Sequence, residues 1–171
     1  RAPGTGSWSP PRKEADAPEI LSGLADGVTC GTPLAAVIRN TNTRSKDYSN
    51  LRDVPRPGHA DYAAWVRSGG HNDPRGGGPY SGRLTAPLVA AGALAKNWLS
   101  LQDIEVNAQV IDENALRQRA EAARQTGDSV GGQVRCIVTG LPAGWGGPDW
   151  RETVESEIAR HVFAIPGVKA V

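Results

Sequence analysis

The second half of the chain alternates between apolar patterns with helical spacing and patterns with strand spacing. Residues 84–100 are apolar at most positions, with Pro87 early and Lys96 late, which predicts a helix buried on several sides. Residues 112–127 begin with acidic residues and end at a glycine, which predicts an amphipathic helix. Strands are predicted at 101–111 and 131–140, and a last helix at 149–165.

The first half contains less regular structure. Residues 19–27 and 31–40 have the pattern of two short strands joined by a turn at Asp26–Gly27. A long polar loop over 41–58 follows, and then a short helix over 59–69. Helices and strands with one opening hairpin and no internal repeat predict the α+β class, in a single domain over residues 1–171.

Length and charge exclude several classes of protein. The chain has 171 residues, enough for one domain with its own core, and a formal net charge of +1. Because the charges are mixed along the chain rather than gathered in a basic run, no nucleic-acid partner is expected. No apolar stretch is long enough to span a bilayer and no signal peptide opens the chain, so no membrane partner is expected.

The cysteines and histidines show no metal-binding pattern. Cys30 and Cys136 each lie in apolar, strand-like surroundings, which predicts buried free thiols and a reducing, cytoplasmic location. His59, His71 and His161 lack the spacing of zinc ligands, and two cysteines cannot make a zinc site alone, so no metal is expected.

One histidine lies in unusual surroundings, within the loop Arg-Pro-Gly-His-Ala-Asp at residues 56–61. His59 beside Arg56 could be a proton-transfer group in an anion site, or a hydrogen-bonded turn residue. Asp61 could orient His59, or it could cap the short helix. Arg44, Asp47 and Tyr48, in the polar loop before it, have a structural and a functional interpretation, both open.

A second loop, residues 75–83, has three consecutive glycines directly before the apolar helix. Glycines expose backbone N–H groups, and a helix N-terminus favours anions. With Ser81 and Arg83 as further donors, the loop predicts a pocket for a small anionic ligand. A flexible loop without a ligand is the alternative. The patterns G-x-x-x-x-G-K-[ST] and G-x-G-x-x-G after a strand are absent, so neither a nucleoside triphosphate loop nor a Rossmann site is supported.

The chain contains five long sequence blocks, in this order: GTPLAAVIRNTNTRSKDYSN, RPGHADY, DPRGGGPYSGRLTAPLVAAGALAK, GDSVGGQV and GLPAGWGGP. Its opening contains P-G-T, P-R-K-E-A-D and E-I-L-S-G. These blocks and their order resemble the chorismate synthase family, and the resemblance extends over most of the chain.

The resemblance implies a specific activity. The family converts 5-enolpyruvylshikimate 3-phosphate to chorismate by 1,4-elimination of phosphate, the last common step of aromatic amino-acid biosynthesis. It requires reduced FMN although the reaction has no net redox change, and relatives either reduce FMN with NADPH or depend on an external supply. The family fold is a β-α-β sandwich and the enzyme is a homotetramer.

The resemblance also implies roles for residues at matching positions. His59, in RPGHADY, is implied to be the active-site histidine near the flavin. Residues implied to bind FMN are Arg1, Pro79, Tyr80, Ser81, Pro166 and Gly167. Residues implied to bind the substrate are Arg12, Arg56, Ser81 and Arg83.

The chain departs from the family pattern in two ways. Several relatives carry an arginine where Ser7 stands and a basic residue where Pro79 stands. The family's G-E-S-H-G motif, with a second active-site histidine, and its Arg-Ser/Ala-Asp motif are not among the 171 residues. We therefore expect a partial chorismate synthase domain, incomplete at both ends.

Two alternatives to a lyase are open. One is a catalytically incomplete homologue that binds flavin or a phosphate ligand. The other is an unrelated anion-binding scaffold whose glycine loops are only structural. Failure to bind flavin or the shikimate ester would favour the scaffold.

Overall fold

The computed structural model describes residues 15–40, 48, 50–51, 53–73 and 78–171. Its contacts form two compact units, residues 1–90 and 91–171, and the single domain expected from the sequence stays a prediction. The strands are β1 (Glu19–Ser22), β2 (Leu24–Ala25), β3 (Val28–Thr29), β4 (Ala35–Val37), β5 (Glu105–Val110) and β6 (Val134–Thr139). The helices are α1 (Asp61–Arg67), α2 (Thr85–Ser100), α3 (Glu113–Gln125) and α4 (Val154–Phe163).

The first unit opens with two nested hairpins. The outer pair, β1 with β4, is antiparallel and irregular between Ile20 and Ser22, and the inner pair is β2 with β3. The inner turn is Asp26–Gly27, with φ of 51° and 79°, the left-handed conformation that a two-residue hairpin turn requires. The turn expected from the sequence is confirmed, and the expected single hairpin is divided in two.

Helices α1 and α2 lie where the sequence predicts them; α1 belongs to the first unit, and α2 crosses the boundary between residues 90 and 91. α1 contributes Ala64, which is only 6% exposed, to the buried hydrophobic residues. α2 follows a 3₁₀ turn over Gly82–Leu84, in which the Ser81 Oγ accepts a hydrogen bond from the Arg83 N–H at 3.2 Å.

The expected burial of α2 is wrong, because none of its residues is buried. The cause is what surrounds the helix. Among the described residues, extensive contacts between elements are made only by the paired strands, so no described element packs extensively against α2. Leu88, Val89 and Trp98 are among its exposed side chains.

The second unit is an antiparallel β5–β6 pair joined through α3. Its register runs from Glu105 opposite Thr139 to Val110 opposite Val134. Ile104, 3% exposed, precedes β5. At the other end of the pair, Gly140 has φ of 79°, and a Cβ there would collide with the carbonyl oxygen of Asp103.

The predicted helices of this unit are confirmed, with one shift in boundary. α3 ends before Gly127, as predicted, and Asp128 N–H returns to Ala123 O at 2.8 Å. α4 begins at Val154, five residues after the predicted start, because the Asp149 carboxylate accepts from Arg151 N–H at 2.9 Å and holds a turn there. No described helix is long and apolar enough to cross a membrane.

Helices and small antiparallel sheets in one chain agree with the α+β class. The cysteines correct one expectation. Cys30 and Cys136 are free, but both are exposed rather than buried. Strand-like sequence predicted an apolar environment, yet all residues of β6 are exposed, since no described element packs on this strand pair extensively.

Candidate functional site

A surface cavity of about 270 Å³ lies in the first unit, between the loop before α1, one face of α1 and the 3₁₀ turn Gly78–Tyr80. Such a volume is just below the range of common small-molecule pockets. Among the described residues that line it, those with ionisable side chains are Arg56, His59, Asp61, Arg67, Asp73 and Tyr80.

The cavity is organised around the ion pair of Arg56 and Asp61. The Asp61 Oδ2 accepts from the Arg56 Nε at 2.7 Å and from the Arg56 backbone N–H at 3.0 Å, and the Oδ1 accepts from Nη2 at 2.9 Å. These hydrogen bonds from Arg56 hold the pKa of the Asp61 carboxyl far below its usual range, although burial opposes the shift. The same contact raises the pKa of Arg56. Asp61 is therefore an ionised acceptor at neutral pH.

His59 joins this ion pair. Its Nδ1 lies 2.7 Å from the Asp61 Oδ1. The Arg56 Nη2 lies 3.2 Å from Nδ1 and 3.3 Å from Nε2. The His59 backbone N–H donates to the Arg56 carbonyl at 3.3 Å, which closes the turn made by Pro57 and Gly58. The structure agrees with His59 as a hydrogen-bonded turn residue, and its place in the lining of a cavity is also compatible with a role in proton transfer.

Helical spacing brings the next residues to the cavity. Asp61, Ala64 and Arg67 are three residues apart on α1, and all three line it. Sequence reasoning missed Arg67, although the same spacing, counted from Asp61, was a signal that could have found it.

Charge in the cavity is balanced among the described lining residues. Arg56 and Arg67 are matched by Asp61 and Asp73, so these groups alone do not make the arginine-rich anion pocket expected from the sequence. Tyr48 supports the site from outside the lining, with its ring 5.6 Å from the Arg56 guanidinium carbon. The described residues bring no three His, Cys, Asp or Glu together as metal ligands would be.

The predicted residues of the glycine loop separate into two groups. Pro79 and Tyr80 line the cavity with His59 and Arg56. Ser81 and Arg83 follow directly but are not among its lining residues in the described part of the chain.

Arg83 has a partner elsewhere in the first unit. Its Nη2 lies 2.5 Å from the Asp16 Oδ1, and the two side chains are 18% and 24% exposed. The Ser81 hydroxyl accepts from the backbone of Arg83. The described contacts of Ser81 and Arg83 are therefore made with other protein groups, whereas the sequence predicts that both residues bind a ligand.

The remaining predicted residues are not among the described residues that line the cavity. Pro166 and Gly167 belong to the second unit, in the turn after α4, where Val168 N–H donates to Ile165 O at 3.2 Å. The predicted Arg1 and Arg12 lie outside the described residues, as do Arg44, Asp47 and Arg75.

Comparison with known proteins now identifies the family. A profile of the chorismate synthase family matches residues 1–117 and 109–171, which together cover the whole chain. The chain belongs to the chorismate synthase family. The resemblance seen in the sequence blocks is therefore confirmed.

Named relatives agree with the family match. A chorismate synthase of Bordetella pertussis is 44% identical over the whole chain, which corresponds to 56% of that protein. Chorismate synthases of Ralstonia pickettii and Burkholderia ambifaria are each 42% identical, over the whole chain and 54% of their own length. The chain spans about half the length of the curated chorismate synthases it matches.

Proposed function

We propose that this chain is part of a chorismate synthase, a carbon–oxygen lyase that eliminates phosphate from 5-enolpyruvylshikimate 3-phosphate to give chorismate. One observation supports the proposal most. In a member of this family, His59 and Arg56 line one cavity with Pro79 and Tyr80, although some twenty residues separate the two segments.

The charge of the substrate calls for arginine side chains. It carries two carboxylates and one phosphate, and the guanidinium is the side chain best able to bind such groups in pairs of hydrogen bonds. Arg56 already gives Nε and Nη2 to Asp61, so it would meet the substrate with the other edge of its fork. We assign substrate binding to Arg56 and Arg83, with Arg12 as a further group.

The lining residues fit one part of a flavin. Tyr80 offers an aromatic ring and Pro79 an apolar surface, while His59 and Arg56 offer polar edges. A cavity of about 270 Å³ holds a ring system rather than the whole of FMN. When bound, reduced FMN supplies reducing power that the reaction returns, because the elimination has no net redox change. Arg1, Ser81, Pro166 and Gly167 are proposed as its other contacts.

His59 is the group we assign to proton transfer. General acid–base catalysis needs a titrating side chain within hydrogen-bond reach of the reacting atoms. The Nδ1 is occupied by the Asp61 carboxylate, so Nε2 is the nitrogen through which His59 would hold or pass a proton.

The finer family properties are part of the same proposal. They are the β-α-β sandwich fold, the homotetramer, a cytoplasmic location, and NADPH as the reductant of FMN where no external supply exists. They rest on family membership alone.

The decisive experiment is anaerobic phosphate release from 5-enolpyruvylshikimate 3-phosphate by the intact gene product, with reduced FMN and with oxidised FMN as the control. Release that requires reduced FMN is the expected result. A folded protein that binds FMN and releases no phosphate would contradict the lyase and favour a binding homologue.

A further inference from the structure

The Asp61 carboxylate lies between two partners that make different demands on it. Arg56 has only donors, and it reaches both carboxylate oxygens. The His59 Nδ1 is 2.7 Å from Oδ1, the distance of a charge-assisted hydrogen bond. Asp61 therefore connects the arginine and the histidine of the cavity.

This contact decides which nitrogen of His59 carries the proton in the neutral ring. An ionised carboxylate can only accept, so Nδ1 must be the N–H. The Arg56 Nη2 is nearly equidistant from both ring nitrogens, at 3.2 and 3.3 Å, so it lies beside the ring rather than along one lone pair. Of the contacts that the His59 ring makes with described residues, only that with Asp61 distinguishes the two nitrogens.

Helix capping does not account for the position of Asp61. Ala60 is the N-cap of α1, and no side chain caps this helix. Asp61 is the first helical residue, and its Oδ2 accepts the backbone N–H of Arg56, which precedes it by five residues. Its carboxylate is thus turned back to the loop that holds His59. Its side chain is only 15% exposed.

We propose that Asp61 is a positioning residue that fixes His59 as the Nδ1–H tautomer and leaves Nε2 as the nitrogen that exchanges protons. In the charged ring, Nε2 would give its proton to the bound partner, Nδ1 would keep its own, and Asp61 would stay ionised. Only this consequence for turnover rests on the proposed function; the tautomer itself does not.

The tautomer can be measured directly in the 171-residue chain by long-range ¹⁵N–¹H correlation of the histidine rings, at a pH high enough for the ring ¹⁵N shifts to be those of neutral imidazole. We expect Nδ1 of His59 to be protonated and Nε2 not. His71, whose side chain has no hydrogen bond among the described residues, is the reference and should show the Nε2–H form that free imidazoles favour.

Asp61→Asn should reverse the protonation of the two ring nitrogens of His59. Arg56 can only donate, so it takes the amide oxygen and leaves the amide NH₂ facing His59, whose Nδ1 must then accept. The Nδ1–H form should fall from the major to the minor tautomer. Asp53→Asn, the matched change at another carboxylate of the same loop, should leave the tautomer unchanged.

Two results would overturn the proposal. One is a His59 that is Nε2–H in the unsubstituted chain, which decides the question even where Asp61→Asn does not fold. The other is an unchanged Nδ1–H form in an Asp61→Asn chain whose amide spectrum outside the loop is preserved. Absent phosphate release together with the Nδ1–H tautomer would refute the proposed function alone.

Discussion

The loop before α1 and the loop before α2 carry similar residues, but the structure holds their arginines differently. Arg56 meets its carboxylate five residues along the chain, through three hydrogen bonds that also recruit His59. Arg83 meets the carboxylate of Asp16, which is 67 residues away. A network closed within six residues depends on local turn geometry, whereas a distant pair depends on the whole unit being folded.

The largest expected effect is a loss of turnover when His59, in the loop before α1, is replaced. His59→Ala in the intact gene product should lower kcat by about 10²–10⁴-fold, the usual loss for a general acid or base. The fold should be kept, because a loop histidine contributes little to a core. Steady-state phosphate release measures this, with His71→Ala as the matched control. Equal rates for the two variants would remove His59 from the mechanism.

The second largest effect should be a difference in local stability between α1 and the first turn of α2. Asp61→Asn should lower the opening free energy of α1 by about 1.5–3 kcal/mol, since it weakens several charge-assisted hydrogen bonds. Asp16→Asn should cost the first turn of α2 about 1 kcal/mol or less, as a single partly exposed pair does. Amide hydrogen exchange at each helix measures both. Equal losses would mean that the density of local contacts does not distinguish the loops.

Ligand affinity tests the second loop. Arg83→Ala should weaken binding of the shikimate ester or of FMN by about 1–3 kcal/mol, the loss of one charge-assisted contact. Isothermal titration of the intact gene product measures it. Arg117→Ala is the control, because that arginine pairs with Glu113 on the exposed surface of α3 at 2.6 Å. If both variants bind as the unsubstituted protein does, the glycine loop is structural.

The smallest effect is the dependence on pH. The Asp61 pKa is lowered in the folded chain, so its contribution is fully present above the unfolded value of about 3.9 and is lost as pH falls below it. The α1 amide signals should therefore lose their folded positions at a higher pH in Asp61→Asn than in the unsubstituted chain. The reverse order would contradict the conclusion that ionised Asp61 stabilises the folded state.

Local structure could be predicted from the sequence, because the signals for it are local. The Asp26–Gly27 turn, the stop at Gly127 and the helix with Pro87 in its first turn each depend on a few neighbouring residues. The burial of α2 and of Cys136 could not be predicted in the same way. An apolar residue reports a preference for burial, whereas its exposure depends on which other elements reach it.

The residues of the candidate site show the same distinction between local and long-range signals. His59 and Arg56 were found from one short motif, and Asp61 was left with two roles, because an aspartate at the start of a helix can serve either. Only the distances to Nδ1 and Nε decide between them. The pair of Arg83 with Asp16 had no sequence signal, since neither residue's neighbours indicate the other.

Gly140 has a consequence for how this family can vary. Any side chain at this position would meet the Asp103 carbonyl, and the backbone there is already left-handed. Gly131 has open space around it and no such backbone. A library randomised at both positions would keep many amino acids at 131 and return almost only glycine at 140. The close approach of two chain segments thus limits which amino acids can occur at the end of this strand pair.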